Sequence, residues 1–188
     1  MTTNSRLKLY SFIILAYISL AFISNALYLS YVGQAGANVY IFLPIVMVVM
    51  GVLVYGKESI PPLFVGSLIS EQIHPILHLP LAHDFIPEGL IPIITALTLV
   101  LFSYITISYL QKKMRLGKDL ENCTLPKILV INTITCAFVA IPLSILDVHG
   151  LKCMPLIFLG FVIGSSLMYF VMCNYRKAIL QFMRKIGD

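Results

Sequence analysis

Six apolar stretches, most of them near the ~20 residues that a helix needs to cross a hydrocarbon core, run through the 188 residues and leave little choice of solvent. They fall at about 9–31, 39–55, 61–78, 90–110, 126–146 and 154–173. Only 11% of the residues are charged, where a soluble domain carries about a quarter, and 59% are hydrophobic. Inside lipid every backbone N–H and C=O has to find its partner within the protein, which restricts spanning segments to helices or a closed barrel. Apolar runs of this length read as helices. The expected fold is therefore all-α: a polytopic transmembrane bundle of six helices forming a single integral membrane domain over residues 1–188.

Turn residues separate the stretches. The first ends at Gly33-Gln34-Ala35-Gly36, the second carries Pro44 in its first turns and stops at Gly56-Lys57-Glu58, and the third opens on Pro61-Pro62. Proline is tolerated at a helix start because the first amides have no intrahelical partner. The third stretch is the exception in length. Only Pro61 to Ile73 is uninterrupted before His74-Pro75, and 13 residues rise only about 20 Å, so this helix is expected to be short or broken at Pro75. The first stretch follows Arg6 and Lys8 as a secretory signal would, but it is too long for one and has no small-residue cleavage site, so it is expected to be a retained span.

Lysine and arginine set the orientation, because they are kept in cytoplasmic loops far more often than they are exported. With the N-terminus inside, Arg6, Lys8, Lys57, Lys112, Lys113, Arg115, Lys118, Lys127, Arg176, Lys177, Arg184 and Lys185 all fall on the cytoplasmic side, and Lys152 alone lies outside. Both termini are then cytoplasmic, and the expected location is a bacterial inner membrane. Orientation also accounts for the net charge of +5, so no nucleic-acid partner is expected. The tail 174–186 alternates basic residues with Ile179, Leu180, Phe182, Met183 and Ile186. It reads as an amphipathic helix on anionic lipid or as an extension of the last span.

Chemistry-bearing residues are few. The four cysteines are scattered without a CxxC pair, which argues against a disulfide framework or zinc knuckle. No P-loop, Gly-rich dinucleotide turn or Ser-His-Asp set is recognisable, so neither an enzyme nor a cofactor is expected. The polar residues of interest gather on the outer side: His74, His78, His83 and His149 beside Glu71, Asp84, Glu88 and Asp147. If the third helix continues past Pro75, Glu71, His74 and His78 share one face. Glu71, His74, His78, His83 and Asp84 are the candidate ligand-binding or sensing residues, and a polar loop without ligand is the plain alternative. Glu71 stands apart because an ionised carboxylate beside an apolar stretch is costly unless water or a partner reaches it. Asn25 and Asn132 are the other polar residues within spans, where interhelical hydrogen bonding is the commoner role. Gly160 and Gly164 form a GxxxG spacing that permits close helix approach, first for internal packing and second for self-association.

Phe42-Leu43-Pro44, then Gly51-Val52-Leu53-Val54-Tyr55-Gly56, then Pro62-Leu63-Phe64-Val65-Gly66-Ser67-Leu68 together resemble the membrane-associated sensor (MASE-type) family of multi-pass domains. The likeness is strongest over about residues 39–70, and Phe158 to Gly164 is loosely similar to the last hydrophobic block of that family. Tryptophan, which the family commonly places before the proline, is absent. The resemblance implies a sensor domain standing alone, without an output domain, that acts through a protein partner. Lys112, Lys113, Arg115 and Lys118 are then the candidate partner-facing residues. The expected function is a non-enzymatic sensory or scaffold protein responding to a ligand or condition outside. The rival is a small-molecule or metal carrier component with its site near the broken third helix.

Overall fold

The computed structural model describes residues 3–31, 42–73, 88–116, 124–146, 155, 158–164, 166 and 181, with backbone alone at residues 25–31, 73, 88, 125 and 146. Among them there is no strand. Five helices are defined: α1 (Thr3–Tyr31), α2 (Ile45–Tyr55), α3 (Ile60–Ile73), α4 (Ile91–Lys113) and α5 (Leu125–Leu146). Short 3-10 turns at Gly56–Ser59 and Glu88–Leu90 precede α3 and α4, and residues 158–164 are also helical. Much of the sixth expected span lies outside the described residues, as do the junction at Pro75 and most of the tail 174–186.

Proline marks the helix starts. Pro44 caps α2, Pro61 and Pro62 occupy the first turn of α3, Pro92 stands at the head of α4 and Pro126 at that of α5. Each position lacks an intrahelical amide partner, so the missing N–H is not felt there. Pro142, inside α5, does remove an interior bond, a loss that transmembrane helices accommodate through neighbours and local adjustment.

Four stretches have the length and apolarity to cross a membrane: Thr3–Ser24, Ile45–Gln72, Ile91–Lys113 and Pro126–Ile145. Their outward side chains are apolar as well, including Leu15, Phe22, Ile105, Phe138 and Ile145. A water-soluble bundle would place charges there; lipid removes that need. The chain is a helical membrane protein by this measure.

The second of these stretches is not one rod. At Gly56 the backbone takes φ +57°, which ends α2, and a Cβ built on Gly51 would lie 3.3 Å from the Ser59 Cβ and 3.3 Å from a Leu63 methyl. In a straight helix, positions 51 and 59 would be about 12 Å apart. The chain therefore doubles back, and α2 and α3 are two arms of a hairpin. Ser59 Oγ donates to the Gly56 carbonyl at 2.7 Å and holds the turn.

α2 is the most enclosed element, with eight of its 11 residues buried. It packs against α1, α3 and α4, while α3 lies against α1 and α4, and α5 lies along α4. One core runs through the bundle, from Leu9, Ile13 and Tyr17 of α1 to Ile131, Val139 and Leu143 of α5. Gly66 permits the close contact of α1 with α3, since a Cβ there would meet the Tyr17 Cβ at 3.1 Å.

The start of α2 departs from the expected span at 39–55. Helix begins only at Ile45, and Phe42, Leu43 and Pro44 are non-helical yet buried. Eleven residues of helix rise only about 17 Å, roughly half of a ~30 Å hydrocarbon core. The amides of Phe42 and Leu43, which no helix pairs, are satisfied from two neighbours. Leu43 N–H donates to Ser24 Oγ of α1 at 2.9 Å, and Phe42 N–H donates to the Gly160 carbonyl at 3.3 Å. The Phe42 and Phe161 rings pack beside that bond with centroids 5.2 Å apart. Gly164 completes the fit, because a Cβ there would fall 2.4 Å from the Phe42 carbonyl oxygen. The GxxxG pair thus seats a stretch of irregular backbone.

Candidate functional site: a buried polar seam and a basic end

Glu71 lies in the last described turns of α3 and is only 4% exposed. Ser67, Ser70 and Glu71 recur at the three- and four-residue spacing that shares one helix face, and all three are buried. The adjoining helix α4 turns its own buried stripe inward, carrying Thr95, Ser103 and Thr106 among Ala96, Leu99, Val100, Ile107 and Leu110. The hydroxyls of Ser67, Thr95 and Ser103 are enclosed and meet no hydrogen-bond partner. Most serine and threonine hydroxyls in apolar helices donate to a carbonyl one turn back, as Thr135 does to Ile131 at 2.7 Å and Ser144 to Ile141 at 2.7 Å. Three that do not leave polar capacity inside the bundle, where an unmet group costs about 1–3 kcal/mol.

A carboxyl enclosed in an apolar bundle is held there by neighbours that supply charge or protons. On this face of α3 the chemistry on offer is one carboxyl with the hydroxyls of Ser67 and Ser70, in a low-dielectric setting. Such a set accepts a proton, a hard cation or a hydrogen-bonding solute. Among the described residues no group of three or more histidine, cysteine or acidic side chains is placed to hold a metal ion.

Of the residues singled out from sequence, Glu71 alone of the sensing set is described. His74, His78, His83 and Asp84 lie outside the described residues, as do His149, Asp147 and the side chain of Asn25. Asn132 is buried in α5, where its Oδ1 faces the Cys136 thiol at 3.9 Å. The seam hydroxyls were not singled out, since serine and threonine are common in apolar helices. The i, i+3, i+4 spacing of Ser67, Ser70 and Glu71 was the available signal. Ser24 gave no such sign, because its role depends on an irregular segment 19 residues away.

The opposite end of the bundle is basic. Arg6 meets Glu58 at 3.9 Å with both side chains partly exposed, a pair worth about 0–1 kcal/mol. Gln111 Nε2 donates to the Leu53 carbonyl at 3.4 Å, so the start of α1, the hairpin turn and the end of α4 share this end. Lys112, Lys113 and Arg115 are exposed here, whereas Lys118 lies outside the described residues. α4 closes in a Schellman arrangement: Leu116 N–H donates to the Gln111 carbonyl at 3.0 Å, Arg115 N–H donates to the Lys112 carbonyl at 3.3 Å, and Leu116 is buried. The residue at the left-handed position is Arg115, with φ +52°, the one non-glycine of positive φ among the described residues. Glycine occupies that position at no steric cost; a side chain there costs roughly 1–2 kcal/mol. Comparison with protein-family models, curated proteins and solved structures finds no match to this chain.

Proposed function

We propose that this chain is a sensory membrane protein, similar to the membrane-associated sensor domains, that takes up its signal at the Glu71 end of the bundle and passes it to a protein partner. The observation that supports it is the burial of Glu71 on the α3 face that it shares with the enclosed, unpartnered hydroxyl of Ser67. An ionisable side chain inside a membrane bundle is retained against a cost of a few kcal/mol, and function is the common reason. In this reading the bundle crosses the bilayer six times, both termini face the cytoplasm of a bacterium, and the Glu71 end opens outward. Signal binding changes the charge or hydrogen bonding of Glu71, α3 responds, and the hairpin turn at Gly56–Ser59 carries the shift to the basic end. Such coupling requires two packings of the bundle for which the signal has different affinity.

A carrier is the second reading, and the interruption at Phe42–Pro44 favours it, because transporters build sites where half-helices begin inside the membrane. One pair of experiments separates the two. Affinity capture from native membranes with mass spectrometry, run on the parent and on Glu71→Gln, is expected to recover a signalling partner whose yield changes with the substitution. Solute uptake lost in Glu71→Gln with no partner recovered would support the carrier. Identical capture and identical uptake in both proteins would sink both readings and leave a structural subunit.

A further inference from the structure

We infer that the end of α4 is a binding site for the phosphate of an anionic phospholipid, gripped by Lys112, Lys113 and Arg115. The inference is independent of the role of Glu71. Leu101, Ile105, Tyr109 and Lys113 follow one another at four-residue spacing, and all four are exposed. The first three form an exposed apolar stripe of the kind that acyl chains cover, and Tyr109 followed by Lys113 is the order in which side chains pass from acyl chains to headgroups. The Lys113 ammonium lies 5.9 Å from the Tyr109 ring centroid, within cation–π range, so the charge is held on the lipid-facing flank rather than beneath the bundle.

Arg115 supplies the second, independent observation. Lysines in the last turn of a helix are accounted for by the macrodipole, which favours cations there. Arg115 lies past that turn, in a backbone conformation that disfavours any side chain, and the glycine that would suit it stands two positions later, at Gly117. A strained residue kept in place points to a use for its side chain. A planar guanidinium two and three residues after two ammonium groups supplies the chemistry a phosphate takes, with the arginine binding through two parallel hydrogen bonds and the lysines adding charge. Among the described residues the carboxylate at this end is Glu58, and it already faces Arg6. Glu58 therefore does not neutralise the patch, and the patch's position at the edge of the exposed apolar stripe makes a lipid headgroup the anion it is placed to meet.

The test uses the purified full chain in mild detergent, with phosphatidylglycerol, phosphatidylcholine and inorganic phosphate as probes and native mass spectrometry to count bound molecules. The parent protein is expected to retain phosphatidylglycerol over phosphatidylcholine, with retention falling as salt rises. Arg115→Gly is expected to lower phosphatidylglycerol affinity roughly fivefold, and Lys112→Gln with Lys113→Gln roughly thirtyfold; Arg115→Lys keeps the charge and most of the binding. Glycine suits the backbone at 115, so a thermal midpoint no lower than the parent's separates lost binding from lost fold. Equal retention of both lipids, or undiminished phosphatidylglycerol binding by Arg115→Gly, overturns the inference. Displacement of the lipid by inorganic phosphate at matched concentration overturns the lipid assignment. A co-purifying protein lost from Arg115→Gly while lipid binding persists overturns it in favour of a protein partner.

Discussion

At Ser24 a single hydroxyl decides whether an irregular segment can exist at membrane depth. Its Oγ accepts the Leu43 amide at a buried site, so Ser24→Ala is expected to cost about 1–3 kcal/mol. The check is a thermal or denaturant midpoint in detergent, with Ser24→Thr restoring most of the loss because it keeps the acceptor. Arg115 carries the opposite expectation. Arg115→Gly should raise stability by about 1 kcal/mol, since glycine adopts φ +52° freely and the replaced side chain is exposed. A lower midpoint would show that the arginine makes a stabilising contact within the chain. Neither residue stands out by type. Serine and arginine are ordinary at such places in a sequence, and what distinguishes these two is a partner far along the chain and a backbone angle. Glu71 was legible because a carboxylate next to an apolar run is anomalous wherever it points.

Among the elements, the α2–α3 hairpin and the seat of residues 42–44 are the features that length and apolarity do not reveal. Residues 45–72 pass every compositional criterion for one crossing, yet Gly56 reverses the chain. A disulfide between Gly51→Cys and Ser59→Cys tests this directly in a background lacking the four native cysteines. The Cβ separation of 3.3 Å is close to that of a bridged pair, so oxidation should protect both thiols from a maleimide reagent. Free thiols after oxidation would mean a straight rod. Gly164→Ala addresses the seat. Its Cβ would stand 2.4 Å from a backbone oxygen rather than from a side chain that can turn aside, so the helix 158–164 or the segment 42–44 has to move, with an expected loss of about 1–3 kcal/mol. Gly66→Ala, where the nearest atom lies 3.1 Å away, should cost less in the same assay.

For the whole molecule, apolar stretches of spanning length determined by themselves that this chain belongs in lipid and is helical, because backbone groups in lipid have no partner outside the protein. The clustering of the start of α1, the hairpin turn and the end of α4 at one basic end accords with a topology in which lysine and arginine stay on one side. A reporter fused after Asp188 and cysteine labelling at Lys113 should both report the cytoplasm; an exported reporter would invert the proposed sensing face. Composition also marked helix starts by proline and close approach by GxxxG. Only the tertiary structure decided that Phe42 to Pro44 lie outside any helix, that the GxxxG glycines receive this segment, and that Ser67, Thr95 and Ser103 are enclosed without partners. The physical reason is range. Helix formation and insertion depend on neighbours within a turn or on the total apolarity of a segment, both of which are written locally. The pairing of an amide with a hydroxyl 19 residues away, or the absence of any partner, depends on which helices meet, and that is settled by the packing of the complete bundle.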